Sequence, residues 1–392
     1  MKQVSGCLIM IYFDNSATTK PYEEVLQAFE QVNRDFFGNP SSLHVLGGRA
    51  EQLLTTAREQ IAQLAGVHAN EIYFTSGGSE SNNLAIKGTA LMHRGRGNHI
   101  ITTSVEHPSV REACEQLRML GFEITYIDVD QNGRVSADDV IGAITDKTIL
   151  VSMIHVSNEV GTIQPVKEVG QRLKDFPKVF FHVDNVQGAC KVALDIYGSN
   201  IDFCTFSAHK FHGLKGSGFL FIKKGIKIAP LISGGHQEQN VRSGTENTGG
   251  IVAMAKAFRM SEDKRKSNSE SLLEIRNFIM NQLEEVPNLV IHTPKDNAAP
   301  HIVNVSAVGL KGEVIVHALA EQGIFISTTS ACSSKDKTPS GTLKAMGVSD
   351  EEATGAIRIS LSHNSTMEEA KEMVQSLKQV LDRLIKVMRR NK

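Results

Sequence analysis

No apolar run in this sequence approaches the ~18–20 residues that a membrane span requires, so a membrane-spanning protein is not expected. The opening segment, MKQVSGCLIM, holds one Lys and a very short apolar stretch, without the long hydrophobic region or small-residue cleavage site of a secretory signal. A strand-like run, Ile11-Tyr12-Phe13, follows Met10 at once, so residues 1–9 read as a loose leader or a mis-assigned start. A cytoplasmic protein is expected. The five cysteines, Cys7, Cys114, Cys190, Cys204 and Cys332, are odd in number and widely spaced and include no C-x-x-C pair. A disulfide framework or structural zinc site is therefore not expected, and reduced thiols are the default. The 14 histidines form no H-E-x-x-H and no cluster with cysteine at ligand spacing, so no metal site is expected. Charge of one sign is also missing: 42 basic side chains face 43 acidic ones, a net charge of -1. No overall field draws nucleic acid or an anionic membrane surface, which leaves small molecules and other proteins as partners. No internal repeat is present.

What is there is a soluble globular composition, 41% apolar and 22% charged over 392 residues, long enough for a large domain and a smaller companion. From about residue 70 to 225, short β-rich runs alternate with helix-period segments. The strand candidates are Glu71–Thr75, His99–Ser104, Glu123–Ile127, Ile149–His155, Val179–Val183, Ile201–Phe206 and Gly218–Ile222. Amphipathic stretches such as PSVREACEQLRMLG and PVKEVGQRLKDF lie between them, the second opening on Pro, a good first-turn residue. This alternation predicts an α/β fold with a mainly parallel sheet, whose ligand site lies beyond the carboxyl ends of the strands. The charged stretch RMSEDKRKSNSES at about 259–270 reads as an exposed boundary. Beyond it come a helix (about 269–285), strands near LVIHT, HIVNVS, IFIST and AIRIS, and a long C-terminal helix (about 366–389), the pattern of a smaller α+β domain. The expected division is 18–266 for the large domain, with 1–17 and 267–392 forming the small one.

The polar clusters fall at the ends of the strand candidates. Ser207-Ala208-His209-Lys210 follows the strand IDFCTF, where burial of a Lys favours the neutral amine that Schiff-base chemistry needs. Asp184, in HVDNVQ, ends the preceding strand; an acid there suits a pyridine nitrogen that must stay protonated. Ser157-Asn158-Glu159 and Glu106-His107-Pro108 end two more strands. The turn Thr75-Ser76-Gly77-Gly78-Ser79 joins a strand to a helix and offers backbone N–H groups and a helix N-terminus to a phosphate. Each feature is weak alone. A surface Lys, a solvated acid or an ordinary strand-to-helix turn is the commoner reading, and the ordered set carries the weight.

With YFDNSATT, GNPSSLH, FTSGGSESNN, VEHPSV, HVSNEVG, HVDNVQ, FSAHK, RSGTEN, TSACSS and IRISLS in order, the chain resembles the cysteine desulfurases of the class V aminotransferase family, fold type I pyridoxal-phosphate enzymes. The resemblance runs from about Ile11 to the C-terminal helix. It implies a seven-stranded large domain, pyridoxal 5'-phosphate as cofactor, and conversion of L-cysteine to L-alanine. Lys210 resembles the lysine that carries the cofactor. Asp184 would pair with the ring nitrogen, Gln187 would touch the ring hydroxyl and His107 would stack on the ring and shuttle a proton to or from sulfur. Gly78, Ser79, Ser207 and His209 resemble the phosphate-binding set, with Thr245 reaching over from the second subunit of a homodimer. Asn158 and Arg358 resemble the residues that hold the substrate carboxylate, a task suited to the planar fork of an Arg, and Asn39 is expected near the substrate. Cys332 resembles the nucleophile that takes the sulfur as a persulfide. Its segment, IFISTTSACSSKDKTPSG, is rich in turn-forming residues and is expected to be a mobile loop. Cys204 in an apolar strand and Cys114 on an amphipathic helix are expected to be buried structural thiols.

The resemblance leaves rivals. Transaminases of the family do not need the cysteine segment, so Cys332 argues against them, whereas selenocysteine lyase activity differs little in substrate shape. A non-catalytic carrier or scaffold is disfavoured by the intact Lys, Asp, His, Gln, Arg and Cys set. The sequence departs from the commonest family pattern at Gly-Gly-Ser in the phosphate turn, at Ser157, and at SLSHNST. It also ends soon after the long helix, without the tail some members use to dock an iron–sulfur scaffold. The sulfur acceptor is therefore expected to be a tRNA-thiolating enzyme, an iron–sulfur scaffold or another sulfur carrier, with the first and last favoured.

Overall fold

A computed structural model describes residues 10–328 and 340–390. Its centre is a seven-stranded sheet with the lateral order Ile72–Thr75, Gly218–Ile222, Phe203–Ser207, Phe180–Asp184, Thr148–Ile154, His99–Thr103 and Glu123–Ile127. Gly218–Ile222 runs antiparallel to both its neighbours, and the remaining strands share one direction. The strand TILVSMI is buried at every position, the continuous burial of a strand covered on both faces. Helices supply that cover. In Pro108–Met119 the buried residues Val110, Ala113, Cys114 and Leu117 recur at helical spacing, and Pro108 occupies the first turn, where its missing N–H has no partner to lose. In Val166–Arg172, Pro165 is the residue before the helix rather than its first member.

A second, antiparallel sheet has the order Ser327–Thr328, Ala356–Ser360, Ile302–Ala307 and Leu289–Ile291. Its apolar cluster, with Leu272, Ile279, Val303, Val305, Ile357, Met373 and Leu377, is distinct from the clusters around the seven-stranded sheet. Ile11–Tyr12 pairs in parallel with Ile324–Phe325, and Ile11 and Phe13 join this second core. The stretch 259–270, read from its charge as an exposed boundary, is helical. It belongs to a helix, Thr248–Glu284, interrupted at Asn268 (φ -137°). Phe258, Ser261 and Glu262 on one side of that point and Leu272 and Ile275 on the other are buried, so the charged residues mark the outer face of a continuing helix.

Because the strands are parallel, the carboxyl ends of His99–Thr103, Thr148–Ile154, Phe180–Asp184 and Phe203–Ser207 lie along one edge, together with the end of Ile72–Thr75. The polar clusters that follow those strands are thereby gathered along that edge. Among the described residues, no helix is long and apolar enough to cross a membrane.

Candidate active site

Lys210 ends a short 3-10 turn, Ala208–Lys210, that follows the strand Phe203–Ser207. Its Nζ donates to the carbonyl of Ser16 and, at 2.8 Å, to that of Ala17. Lys191 supports the turn from behind: its buried Nζ donates to the Lys210 carbonyl at 2.7 Å. Burial pushes the Lys191 ammonium down to about 8, against the opposing influence of Cys190.

Asp184 is the last residue of its strand and is buried. One carboxylate oxygen accepts from the Val186 N–H at 3.0 Å and the other from Asn82 Nδ2 at 2.7 Å. Gln187, three residues on, donates from Nε2 to Ser16 O at 2.9 Å and leaves its buried Oε1 without a protein partner. His107 caps the helix Pro108–Met119, its Nδ1 accepting from the Ser109 N–H at 3.2 Å and lying 2.8 Å from Ser109 Oγ. Burial pushes the imidazole below its ordinary value. The charges of Lys210 and Arg111 act in the same direction, and Asp184 opposes them. Under this layer sits Glu106, whose Oε1 accepts from Thr103 Oγ1 at 2.7 Å and from the Ile154 N–H at 2.8 Å. Burial drives its carboxyl up to about 8.

The glycine turn lies at one end of this group. Gly77 has φ 147°, and Gly78 begins the helix Gly78–His93. A Cβ on Gly78 would meet Val186 Cγ2 at 2.8 Å and Ser207 Cβ at 3.5 Å, so the missing side chain keeps a space open beside Ser207. Ser79 stands exposed on the first turn of the helix. His209 Nδ1 lies 3.2 Å from Thr18 Oγ1, and burial pushes the ring down to about 4, with Lys210 the largest further contributor.

Arg358, from the second sheet, is buried. It donates to the Asn158 carbonyl at 2.8 Å and to Asp14 Oδ1 at 3.1 Å, while its Nε has no partner in the protein. Asp14 is pushed up by burial, against the pull of Arg358 and Lys210. Asn39 is exposed and bonded locally, its Oδ1 accepting from the Ser41 N–H at 2.9 Å. Thr245 is likewise exposed, in a loop that lines a cavity of about 130 Å³ with Ser76, Ser217 and Arg242. Cys332 lies outside the described residues. Cys114, Cys190 and Cys204 are buried free thiols. The structure thus gathers Gly78, Ser207, His209, Lys210, Asp184, Gln187 and His107 along the edge of one sheet, with Arg358 and Asn158 joined across from the other. It leaves Asn39 and Thr245 outside the bonded group. Sequence reading missed Asn82, Ser109, Asp14, Ser16 and Lys191. All but Lys191 lie within the quoted motifs, and none carries a local signal of its own contact.

The aminotransferase class-V family model matches residues 11–373. The chain belongs to that family. A curated relative from Lactobacillus delbrueckii subsp. bulgaricus, described as a "NifS/IcsS protein homolog", is 47% identical over 96% of this chain and 99% of its own. The "Cysteine desulfurase IscS" of Clostridium botulinum is 41% identical over 95% of this chain and 94% of its own. A solved structure described as a "NIFS-LIKE PROTEIN" superposes with a TM-score of 0.90 at 36% identity, covering 95% of this chain and all of the other (100%). The fold is that of the type I pyridoxal-phosphate enzymes, and members of the family depend on pyridoxal 5'-phosphate. The residues present fit that group. The open turn at Gly78, the unpartnered Gln187 Oε1, the ionisable Asp184 on the strand end and the amine of Lys210 offer the donor set it needs.

Proposed function

We propose that this chain is a pyridoxal-phosphate-dependent cysteine desulfurase that converts L-cysteine to L-alanine and hands the sulfur to an acceptor protein. The observation that carries the reading is the convergence of Lys210, Asp184, Gln187 and His107 on one sheet edge, with the buried Arg358 brought up to it from the other sheet. When bound, the cofactor supplies an electron sink for the charge left on the substrate α-carbon after its proton is removed.

The protein's own groups then have definite tasks. Lys210 would hold the cofactor through its amine, and the same Nζ would take and return the substrate α-proton. Asp184, which accepts from Asn82 Nδ2 and the Val186 N–H, would pair with the ring nitrogen. Gln187 Oε1, buried without a protein partner, would accept from the ring hydroxyl. Gly78, Ser79, Ser207 and His209 would hold the phosphate, and Thr245, exposed on its loop, would complete that site in a second copy of the chain, making the working form a homodimer. Arg358 and Asn158 hold the substrate carboxylate, and Asn39 borders the substrate. Cys332, as thiolate, attacks the substrate sulfur: an S–S bond forms, the carbon–sulfur bond breaks, and its electron pair stays with the substrate carbon, which is protonated and leaves as alanine. The persulfide passes to a tRNA-thiolating enzyme, an iron–sulfur scaffold or another sulfur carrier in the cytoplasm. The same reading divides the chain into 18–266 and 1–17 with 267–392, supported by the two separate cores and the interruption at Asn268.

The test is alanine and persulfide production from L-cysteine with a thiol present, on the parent and Cys332→Ala. Product formation that vanishes in the variant while the cofactor absorbance stays supports the reading. A yellow, folded parent that yields no alanine overturns it, and a Cys332→Ala protein that forms persulfide at the parent rate overturns the nucleophile assignment.

A further inference from the structure

The hydrogen bonds around His107 fix more than its position. Asn82 is buried, and its Nδ2 lies 2.7 Å from Asp184 Oδ2 and 2.9 Å from Ser109 Oγ. A carboxylate can only accept, so the group facing Asp184 is the amide NH₂, and the orientation of Asn82 follows from chemistry. The same NH₂ donates to Ser109 Oγ. Ser109 Oγ lies 2.8 Å from His107 Nδ1 and can donate its one proton there while its oxygen accepts from Asn82. The Ser109 backbone N–H points at the same nitrogen from 3.2 Å. Two donors therefore converge on His107 Nδ1, which must be the unprotonated ring nitrogen, and the proton of the neutral ring sits on Nε2.

We propose that Ser109 and Asn82 are positioning residues that hold His107 as the neutral Nε2–H tautomer, so that the ring serves the reaction as a hydrogen-bond donor through Nε2. This deepens the desulfurase reading and rests on it for the identity of the reacting group. A proton added to Nδ1 would deprive the Ser109 N–H of its acceptor and force the hydroxyl to turn while Asn82 still donates to its oxygen. Nor can a relay run outward through Ser109, because the next group, the Asn82 amide, exchanges no proton in this range. The burial of the ring and the charges of Lys210 and Arg111 act in the same sense, and Asp184 is the group that acts against them. The carboxylate of Asp184 and the imidazole of His107 are joined by one chain of hydrogen bonds through Asn82 Nδ2 and Ser109 Oγ.

The experiment uses the cofactor-loaded protein with ¹⁵N-labelled histidine, the His107 ring signals being assigned by their loss in His107→Gln. In the parent at about pH 8, Nδ1 should resonate as an unprotonated and Nε2 as a protonated nitrogen. Ser109→Ala should raise the midpoint of His107 protonation by about one pH unit and mix the tautomers. The same variant should lower kcat for alanine formation about tenfold, with KM within about twofold, because the donor acts on the reacting group rather than on binding. Ser109→Thr, which keeps the hydroxyl, should restore both the ring signals and kcat. A parent ring protonated on Nδ1, or Ser109→Ala signals that match the parent, overturns the inference whatever the activity. A parent that makes no alanine while showing the Nε2–H ring leaves the tautomer lock standing and defeats the desulfurase reading alone.

Discussion

Replacing Arg358 by Lys separates substrate binding from chemistry. The guanidinium spends one donor on the Asn158 carbonyl and one on Asp14, and its buried Nε–H is left without an acceptor. A buried donor in that condition costs about 1–3 kcal/mol, and a substrate carboxylate can relieve it. Side-on, a carboxylate would take Nε and the adjacent Nη together, the bidentate arrangement that only Arg offers. A Lys at 358 keeps the charge but presents one point donor on a stem that also has to answer Asp14 and Asn158. One charge-assisted hydrogen bond to substrate is lost, about 1.5–3 kcal/mol, which corresponds to roughly 10- to 150-fold in kcat/KM. The carboxylate is held equally before and during reaction, so the loss should fall on KM, with kcat within about threefold of the parent. The assay is alanine formation across a range of L-cysteine concentrations, paired with spectral titration of cysteamine, which lacks the carboxylate. Arg358→Lys should leave cysteamine affinity within about twofold of the parent. Equal weakening toward both amines would mean that the substitution disturbs the whole site, and an unchanged KM for cysteine would refute the role given to Arg358.

Other perturbations follow from the same geometry. Glu106 is held protonated in the fold, with its carboxyl raised from the ordinary 4.5 to about 8 by burial, so the folded chain binds a proton that the unfolded chain releases above the ordinary value. Its contribution to stability is complete below about pH 4.5 and is lost as the pH climbs through about 8, on the order of 5 kcal/mol in all. Glu106→Gln, neutral throughout, should match the parent in urea near pH 5 and exceed it near pH 9; parallel pH profiles would refute this. Gly77→Ala should cost about 1–3 kcal/mol, because φ 147° is a glycine conformation, although its Cβ would lie at an ordinary 3.5 Å from Ser207 Oγ. Urea unfolding and cofactor retention after gel filtration would show it, and full stability would mean that the turn relaxes freely. Burial lifts the Cys114 thiol to about 12 and pushes those of Cys190 and Cys204 well up. Mass mapping after brief iodoacetamide treatment of the native protein should find these three unmodified; rapid labelling of any of them would contradict its burial.

The strand-end clusters were legible because each interrupts an apolar run with polar residues at the same structural place. Asp184, Ser207, His209, Lys210 and His107 announce themselves that way, and the alternation of strand and helix says that they share an edge. Contacts between segments had no such signal. Asn82 meets Asp184 across 102 positions, and Asp14 meets Arg358 across 344. Each is a small polar or charged residue with many possible environments, and nothing in its neighbours names the partner. The helix through 259–270 was hidden for a different reason. Its exposed face carries Asp263 and Lys266, and the buried residues that prove it helical, Phe258, Ser261, Glu262 and Leu272, include two that composition counts as polar. Backbone strain was equally silent: Glu238, Gln239 and Asn240 all take left-handed conformations without a glycine among them. Glu238 is held there by Arg58, at 2.7 and 2.8 Å, and by the Phe74 N–H at 2.8 Å.

The segment from Asp14 to Thr19 joins these strands of the argument. It is anchored on the second sheet, where Asn15 Nδ2 donates to the Ser360 carbonyl at 3.0 Å, the Ser16 N–H donates to Ser360 Oγ at 2.9 Å, and Asp14 pairs with Arg358. It is anchored equally on the first, where the Ser16 and Ala17 carbonyls receive Lys210 Nζ, Ser16 O receives Gln187 Nε2, and Thr19 bonds the His209 carbonyl through its N–H at 2.8 Å and its hydroxyl at 3.0 Å. The residues proposed to hold the cofactor and the residue proposed to hold the substrate carboxylate are therefore registered against each other through one short stretch of main chain. A rate that depends on positioning within fractions of an ångström depends on that stretch as much as on the groups it carries. That is a physical reason for DNSATT to stand among the motifs although only Asp14 in it is charged and none of its side chains is required to touch the reacting atoms.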